Sequence, residues 1–231
     1  MNTGSVGDTG CTIRSLDLSL SCLSVVSYFG EPPERQRAGN TMNAKHLELC
    51  SSAEWAEAVE QWIVPAALRD ERLGEDVLEV GPGPGLTTDV LRRSFDHVTA
   101  IEIHDDLATS LAARMANSNV EVVHADATAM PFEDDRFSGA VCLTMLHHVP
   151  TAELQDRLLA EVGRVLRPGA VFIGSDSLDS DEFRDLHVDD ICVPVPPDGL
   201  HYRLVAAGFV EVEVEENPPY SVRFRANKPP A

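Results

Sequence analysis

Basic side chains are scarce in this chain of 231 residues: 18 Lys+Arg stand against 38 Asp+Glu, a formal net charge of −20. Such a surface repels phosphate backbones and anionic lipid, which argues against nucleic acid or a membrane surface as the main partner. Long apolar runs are missing too. The nearest, from Leu16 to Gly30, carries Asp17 and several serines, and falls short of the roughly 18 uncharged apolar residues that a membrane span needs. With only Arg14 ahead of it and no clean small-residue cleavage site, it does not read as a secretory signal. The five cysteines, at 11, 22, 50, 142 and 192, form no C-x-x-C pair and no metal-ligand spacing. A reducing, cytoplasmic setting with buried thiols is therefore expected, and Cys142, inside an apolar run, reads as a small core residue.

What is present is enough apolar sequence, 43% of residues, to bury the core of one domain. Residues 1–41 open on Gly, Ser and Thr and close on "GEPPERQRAGNT", a breaker-rich composition that predicts a flexible N-terminal extension. From Met42 the chain reads as compact. Ser51 or Ser52 followed by Glu54 marks a helix start, and Trp55, Val59, Trp62 and Ile63 then recur at helical spacing. Residues 42–73 are expected to form a helical lid carrying these tryptophans.

Five apolar runs follow, at 77–81, 97–103, 120–126, 138–145 and 170–176, separated mostly by helix-like segments. Strands that alternate with helices, and that are apolar throughout rather than every second residue, predict a parallel sheet covered on both faces. The tail differs: a helix ends at Gly208, and two alternating runs flank "ENPP". These predict an antiparallel hairpin closing a Rossmann-like, doubly wound α/β sheet of seven strands, mostly parallel. Residues 76–177 would be the cofactor-binding core, with 178–231 the substrate-side segment and hairpin.

The first strand runs into "EVGPGPG", where Gly81, Gly83 and Gly85 leave bare backbone before a helix N-terminus. A dinucleotide turn needs G-x-G-x-x-G, and its sixth position here is Leu86, which disfavours an NAD-dependent oxidoreductase. Glu79, just ahead of the turn, would repel a phosphate and attract an ammonium group. Glu102, at the end of the second strand, can accept both hydroxyls of a ribose. Asp126, at the end of the third, can accept from an adenine amino group. Three acids at three successive strand ends suit a ligand bound outside the carboxyl edge of the sheet.

With these motifs in this order, and with "LTMLHHV" and "EVGRVLRPGAVFIGSD" after them, the chain resembles the class I S-adenosylmethionine-dependent methyltransferases. The likeness is to their small-molecule branch, often called methyltransferase type 11 or ubiquinone-biosynthesis-like. It runs from about residue 76 to residue 177. The resemblance implies S-adenosylmethionine as methyl donor. Glu79 and the backbone of Gly81 and Gly83 would face its methionine part, Glu102 the ribose, Ile103 and Asp126 the adenine with help from the Ala127 N–H, and Thr144 the methionine end. The family commonly has Asp where Glu79 stands, so the charge is kept with a longer reach.

Methyl transfer from a sulfonium is an in-line displacement, which asks mainly for alignment and sometimes for a base. His147 and His148, just past the fourth strand, are the base candidates, with His148 preferred for facing substrate. His187, Asp189 and Asp190 could hold a divalent ion, but an acidic surface segment is usually only solvated, so no metal is assigned. The expected activity is transfer of a methyl group to oxygen, nitrogen or carbon of a small-molecule acceptor, by a monomer or homodimer. A silent S-adenosylmethionine-binding sensor would share the same motifs.

Overall fold

The structure, a computed structural model, describes residue 1 and residues 42–69 and 71–231; the extension expected over 1–41 otherwise lies outside the described residues. Seven strands are described: β1 (Asp76–Val80), β2 (His97–Glu102), β3 (Val120–His124), β4 (Phe137–Leu143), β5 (Leu166–Ser177), β6 (Val210–Asn217) and β7 (Ser221–Asn227). They form one sheet in the order β3-β2-β1-β4-β5-β7-β6. The first five pair in parallel, and β7 runs antiparallel to both β5 and β6. An antiparallel strand inserted between β5 and β6 separates this sheet from the dinucleotide-binding order 3-2-1-4-5-6. The reversal of strand order falls between β1 and β4, which puts a ligand crevice at their carboxyl ends.

The helices are α1 (Ala44–Cys50), α2 (Ala53–Ala58), a π-helical turn (Val59–Ile63), α3 (Val64–Leu68), α4 (Leu86–Leu91), α5 (Asp105–Arg114), α6 (Ala152–Val165), α7 (Asp181–Leu186) and α8 (Pro197–Ala206). Successive strand residues point to opposite faces, so each central strand feeds two cores. Leu78, Ala140, Cys142 and Phe172 pack with Leu158, Val162, Leu200 and Leu204 of α6 and α8. Val77, Val141, Val171 and Ile173 pack on the other face with Val59, Val64 and Leu91. Burial on both faces is why these strands read as continuous apolar runs. Cys142 is fully buried as expected, and burial pushes its thiol pKa well above the usual range.

The N-terminal helical region keeps one of its expected starts and departs from its sequence pattern further along. Ser52, not Ser51, is the cap, accepting the Trp55 N–H at 3.0 Å. The π-helical turn then adds a residue to one turn, so the inward stripe passes from Val59 to Val64, and Trp62 is left 70% exposed. Val59 and Val64 belong to the core beneath the sheet.

At the far edge, β6 carries Glu211, Glu213, Glu215 and Glu216, charges that discourage strand addition from another chain. Glu213 lies opposite Arg225 and Glu215 opposite Arg223. Arg223 Nη2 donates to Glu215 Oε2 at 2.8 Å.

Candidate functional site

The glycine turn takes its shape from three positive backbone φ angles, 69° at Gly81, 54° at Gly83 and 85° at Gly85, a region that L side chains rarely occupy. A Cβ at Gly81 would collide with the Met145 side chain, and one at Gly85 with Leu111 and Arg114. A Cβ at Gly83 would meet nothing within 4 Å. The turn is thus packed at both ends and open in the middle. Arg114, from α5, braces it: Nη2 donates to the Pro84 carbonyl at 2.8 Å and the Gly85 carbonyl at 3.0 Å, while Nη1 pairs with Asp89.

The three strand-end acids differ in their surroundings. Glu79 is buried at 2% exposure; Oε2 accepts from the Thr88 hydroxyl at 2.7 Å, and Oε1 has no partner. Burial, followed by the nearby carboxylates of Glu102 and Asp89, pushes its pKa up to about 8 against the opposing Thr88 bond. Glu102, at 4% exposure, is bound on both oxygens: Oε2 accepts from the Gly83 N–H at 3.0 Å, and Oε1 from the His104 N–H at 2.9 Å and His104 Nδ1 at 2.8 Å. Burial would raise its pKa, but these bonds together outweigh it and hold the carboxyl below the usual range. Asp126 is exposed beyond the end of β3, and its Oδ1 accepts the Thr128 N–H at 2.8 Å, fixing the turn that carries Ala127. Ile103 lies beside Glu102 with 43% of its surface open.

Past β4 the chain makes a second sharp turn. Thr144 holds a φ of 50°, unusual for a β-branched residue, while its N–H donates to the Ser175 carbonyl at 2.7 Å. A short 3-10 turn, Leu146–His148, then delivers the two histidines. His147 is buried: Nδ1 meets Asp176 Oδ1 at 2.5 Å, its backbone N–H donates to Asp176 Oδ2 at 3.0 Å, and Nε2 lies 3.1 Å from His187 Nε2. His148 is more open, with Nδ1 on the Ile191 carbonyl at 3.2 Å. Burial, then the neighbouring imidazoles of His147, His46 and His187, drives its pKa down to about 2.

The acids, the glycines, Ile103, Ala127 and Thr144 thus follow one another along the carboxyl edge of β1 to β4. The trio His187, Asp189 and Asp190, to which no metal is assigned, is divided by the fold: His187 is buried and Asp189 is exposed at a φ of 65°. In its place His187 joins His46, His147 and His148, with Asp176 and Asp190 behind them. His46 and Asp176 escaped the sequence reading. Asp176 closes a buried strand, which is the same signal that drew notice to Glu79 and Glu102, whereas His46 on α1 reaches Asp190 across 144 residues and leaves no local trace.

The chain matches known proteins over the same stretch. The family profile described as "Methyltransferase domain" covers residues 78–174. A demethylmenaquinone methyltransferase of Clavibacter sepedonicus is 30% identical over 66% of this chain and 58% of its own length. A fatty-acid O-methyltransferase of Mycolicibacterium smegmatis is 33% identical over 45% of this chain and 38% of its own. The chain therefore spans about half the length of these curated relatives. Among solved structures, a SAM-dependent methyltransferase from Aquifex aeolicus superposes with a TM-score of 0.62 over 81% of this chain and 100% of its own, at 18% identity, a likeness of fold. The glycine turn, the strand-end acids, the sheet order and the profile match agree: residues 78–174 carry a methyltransferase domain, and the sheet has the fold of the S-adenosylmethionine-dependent methyltransferases.

Proposed function

We propose that this protein transfers a methyl group from S-adenosylmethionine to a small-molecule acceptor. The observation that carries the reading is the carboxyl edge of β1 to β3, where an open glycine backbone lies between two buried glutamates. The site fits the donor on two counts. Glu79 Oε1 is a buried acceptor without a partner, suited to the ammonium of an amino acid, and Gly83 leaves a space that any side chain would fill. When bound, S-adenosylmethionine supplies the electrophilic methyl carbon.

Each residue of the edge has one task in this reading. Gly81 and Gly83 let the backbone approach the methionine moiety, with Glu79 at its ammonium end and Thr144 beside it. Glu102, already fixed by Gly83 and His104, accepts from the ribose hydroxyls. Ile103 and Ala127 flank the adenine, and Asp126 accepts from its amino group. Along the same edge β4 and β5 follow, so the acceptor side falls where His147 and His148 lie. His147, locked to Asp176, is a positioning residue for the turn, and His148 lines the acceptor side.

Strong net negative charge supports a small acceptor over nucleic acid. Calorimetry with S-adenosylmethionine and with NAD tests the donor, and methyl-labelled donor incubated with fractionated metabolite extract tests the transfer. Binding of the donor with label appearing in a small product is expected. Preference for NAD would overturn the reading, and donor binding without turnover would favour a silent sensor.

A further inference from the structure

We infer that His46, His148 and His187 form a binding site for a zinc-type divalent transition-metal ion, with His147 beside it. The three side chains each offer a ring nitrogen, and these atoms all lie within 4.8 Å of one another. They come from three separate parts of the chain: α1, the turn after β4, and the residue that follows α7. His46 and His187 are 5% and 4% exposed, so the cluster is not a surface coincidence.

The hydrogen bonds settle which nitrogen is available. His187 Nδ1 meets the Phe183 carbonyl at 2.6 Å, His148 Nδ1 the Ile191 carbonyl at 3.2 Å, and His46 Nδ1 the Asp190 carboxylate at 3.1 Å. Carbonyl and carboxylate oxygens only accept, so each Nδ1 carries the hydrogen, and each neutral ring keeps its lone pair on Nε2. Metal-bound histidines are held in the same way, with the second nitrogen donating to a carboxylate or backbone carbonyl. Asp190 is itself fixed, by the Ile191 N–H at 2.8 Å on Oδ1 and by the Asn43 N–H at 3.4 Å on Oδ2. Without an ion, neutral imidazoles packed at centroid separations of 4.4 Å, 5.0 Å and 5.3 Å turn like partial charges toward one another. Burial lowers the pKa of all three, which favours the neutral, ligating form.

Ligand chemistry selects the ion. Three imidazoles with no oxygen ligand suit zinc, cobalt, nickel or copper, and do not suit calcium or magnesium. Zinc-to-nitrogen distances of about 2.0–2.1 Å place tetrahedral ligands about 3.3 Å apart, so nitrogens within 4.8 Å of one another need to close by up to about 1.5 Å. His147 Nε2 already stands at 3.1 Å from His187 Nε2. The site also ties α1 to the acceptor side of the sheet.

The full chain, without an affinity tag and stripped with a chelator, is titrated with cobalt(II) and then with zinc(II). One equivalent of cobalt producing visible tetrahedral d–d absorption, bleached by zinc, is expected. So is a higher melting temperature of the unmutated protein in zinc than in chelator. Asp190→Asn keeps all three ligands and should weaken cobalt binding by about 10–100-fold. His46→Ala and His187→Ala should abolish the absorption, and the exposed His201→Ala should leave it intact. Absence of both the absorption and the zinc-dependent rise in the unmutated protein would overturn the site, whatever the variants do. Full-strength absorption in His46→Ala would overturn it as well.

Discussion

Asp176 holds His147 twice, accepting Nδ1 at 2.5 Å on one oxygen and the backbone N–H at 3.0 Å on the other. Both residues are buried, and the bonds join the end of β5 to the turn after β4. The adjacent His148 can hold its place only while that turn is fixed. Asp176→Ala strips both acceptors from a buried imidazole and a buried amide. Each buried donor left without its acceptor costs about 1–3 kcal/mol, and in a domain of this size each kcal/mol lowers the melting temperature by roughly 2–4 °C. Thermal unfolding of the variant should therefore show a drop of about 4–24 °C, and a change within a degree or two would mean that the pair is not what fixes the turn.

Glu102 joins the end of β2 to the glycine turn through the Gly83 N–H, so its carboxylate both shapes the cradle and faces the proposed ribose site. Glu102→Ala loses bonds to a charged acceptor worth about 1.5–3 kcal/mol each. S-adenosylmethionine affinity, read by calorimetry, should fall by about 10–100-fold. Turnover at saturating donor should change much less, because the methyl-transfer geometry is set elsewhere on the edge. Equal affinity in the variant would remove Glu102 from the donor site.

Much of this was legible from the sequence because the relevant signals are local. Strands buried on both faces read as unbroken apolar runs, the terminal hairpin as two alternating ones, and Glu79 and Glu102 stand at or next to strand ends where the pattern stops. Other features had no local signature. Trp62 fits a helical repeat until the π-helical turn shifts the register by one residue. Asp126 lies past the end of β3, which stops at His124. The histidine cluster joins residues 46, 147, 148 and 187, which only the folded topology brings together. Residue type alone pointed to His187 with Asp189 and Asp190, and the fold keeps His187, moves Asp190 behind the rings, and leaves Asp189 outside.

Gly81 and Gly83 share a positive φ and differ in what surrounds them. Alanine at Gly83 meets no neighbour within 4 Å, so only the backbone penalty of about 1–2 kcal/mol applies and the protein should fold. Its methyl group would occupy the space proposed for the donor, and donor affinity should fall at least about tenfold, the equivalent of about 1.4 kcal/mol. Alanine at Gly81 adds a collision with Met145 and should lower the melting temperature further than Gly83→Ala. Thermal unfolding and calorimetry on the two variants separate a structural turn from a binding turn. Undiminished donor binding by Gly83→Ala would show that the donor does not approach this backbone.

Glu79 links stability to pH in a predictable direction. Its folded pKa is about 8 against an ordinary value of 4.5. Between those two values the folded chain binds a proton that the unfolded chain has released, so this carboxyl makes stability fall as pH rises across the window. The contribution is fully present below about pH 4.5 and is lost by about pH 8. Glu79→Gln mimics the protonated form and removes this slope, so subtracting its unfolding free energy from that of the unmutated protein isolates the carboxyl from other titrating groups. Denaturant unfolding without donor, at a series of pH values, should show the difference declining from acid toward pH 8. The donor's ammonium group favours the ionised carboxyl, so donor affinity should rise over the same range in the unmutated protein and lose that component in the glutamine variant. A pH-independent stability difference would mean that Glu79 is already ionised in the folded chain.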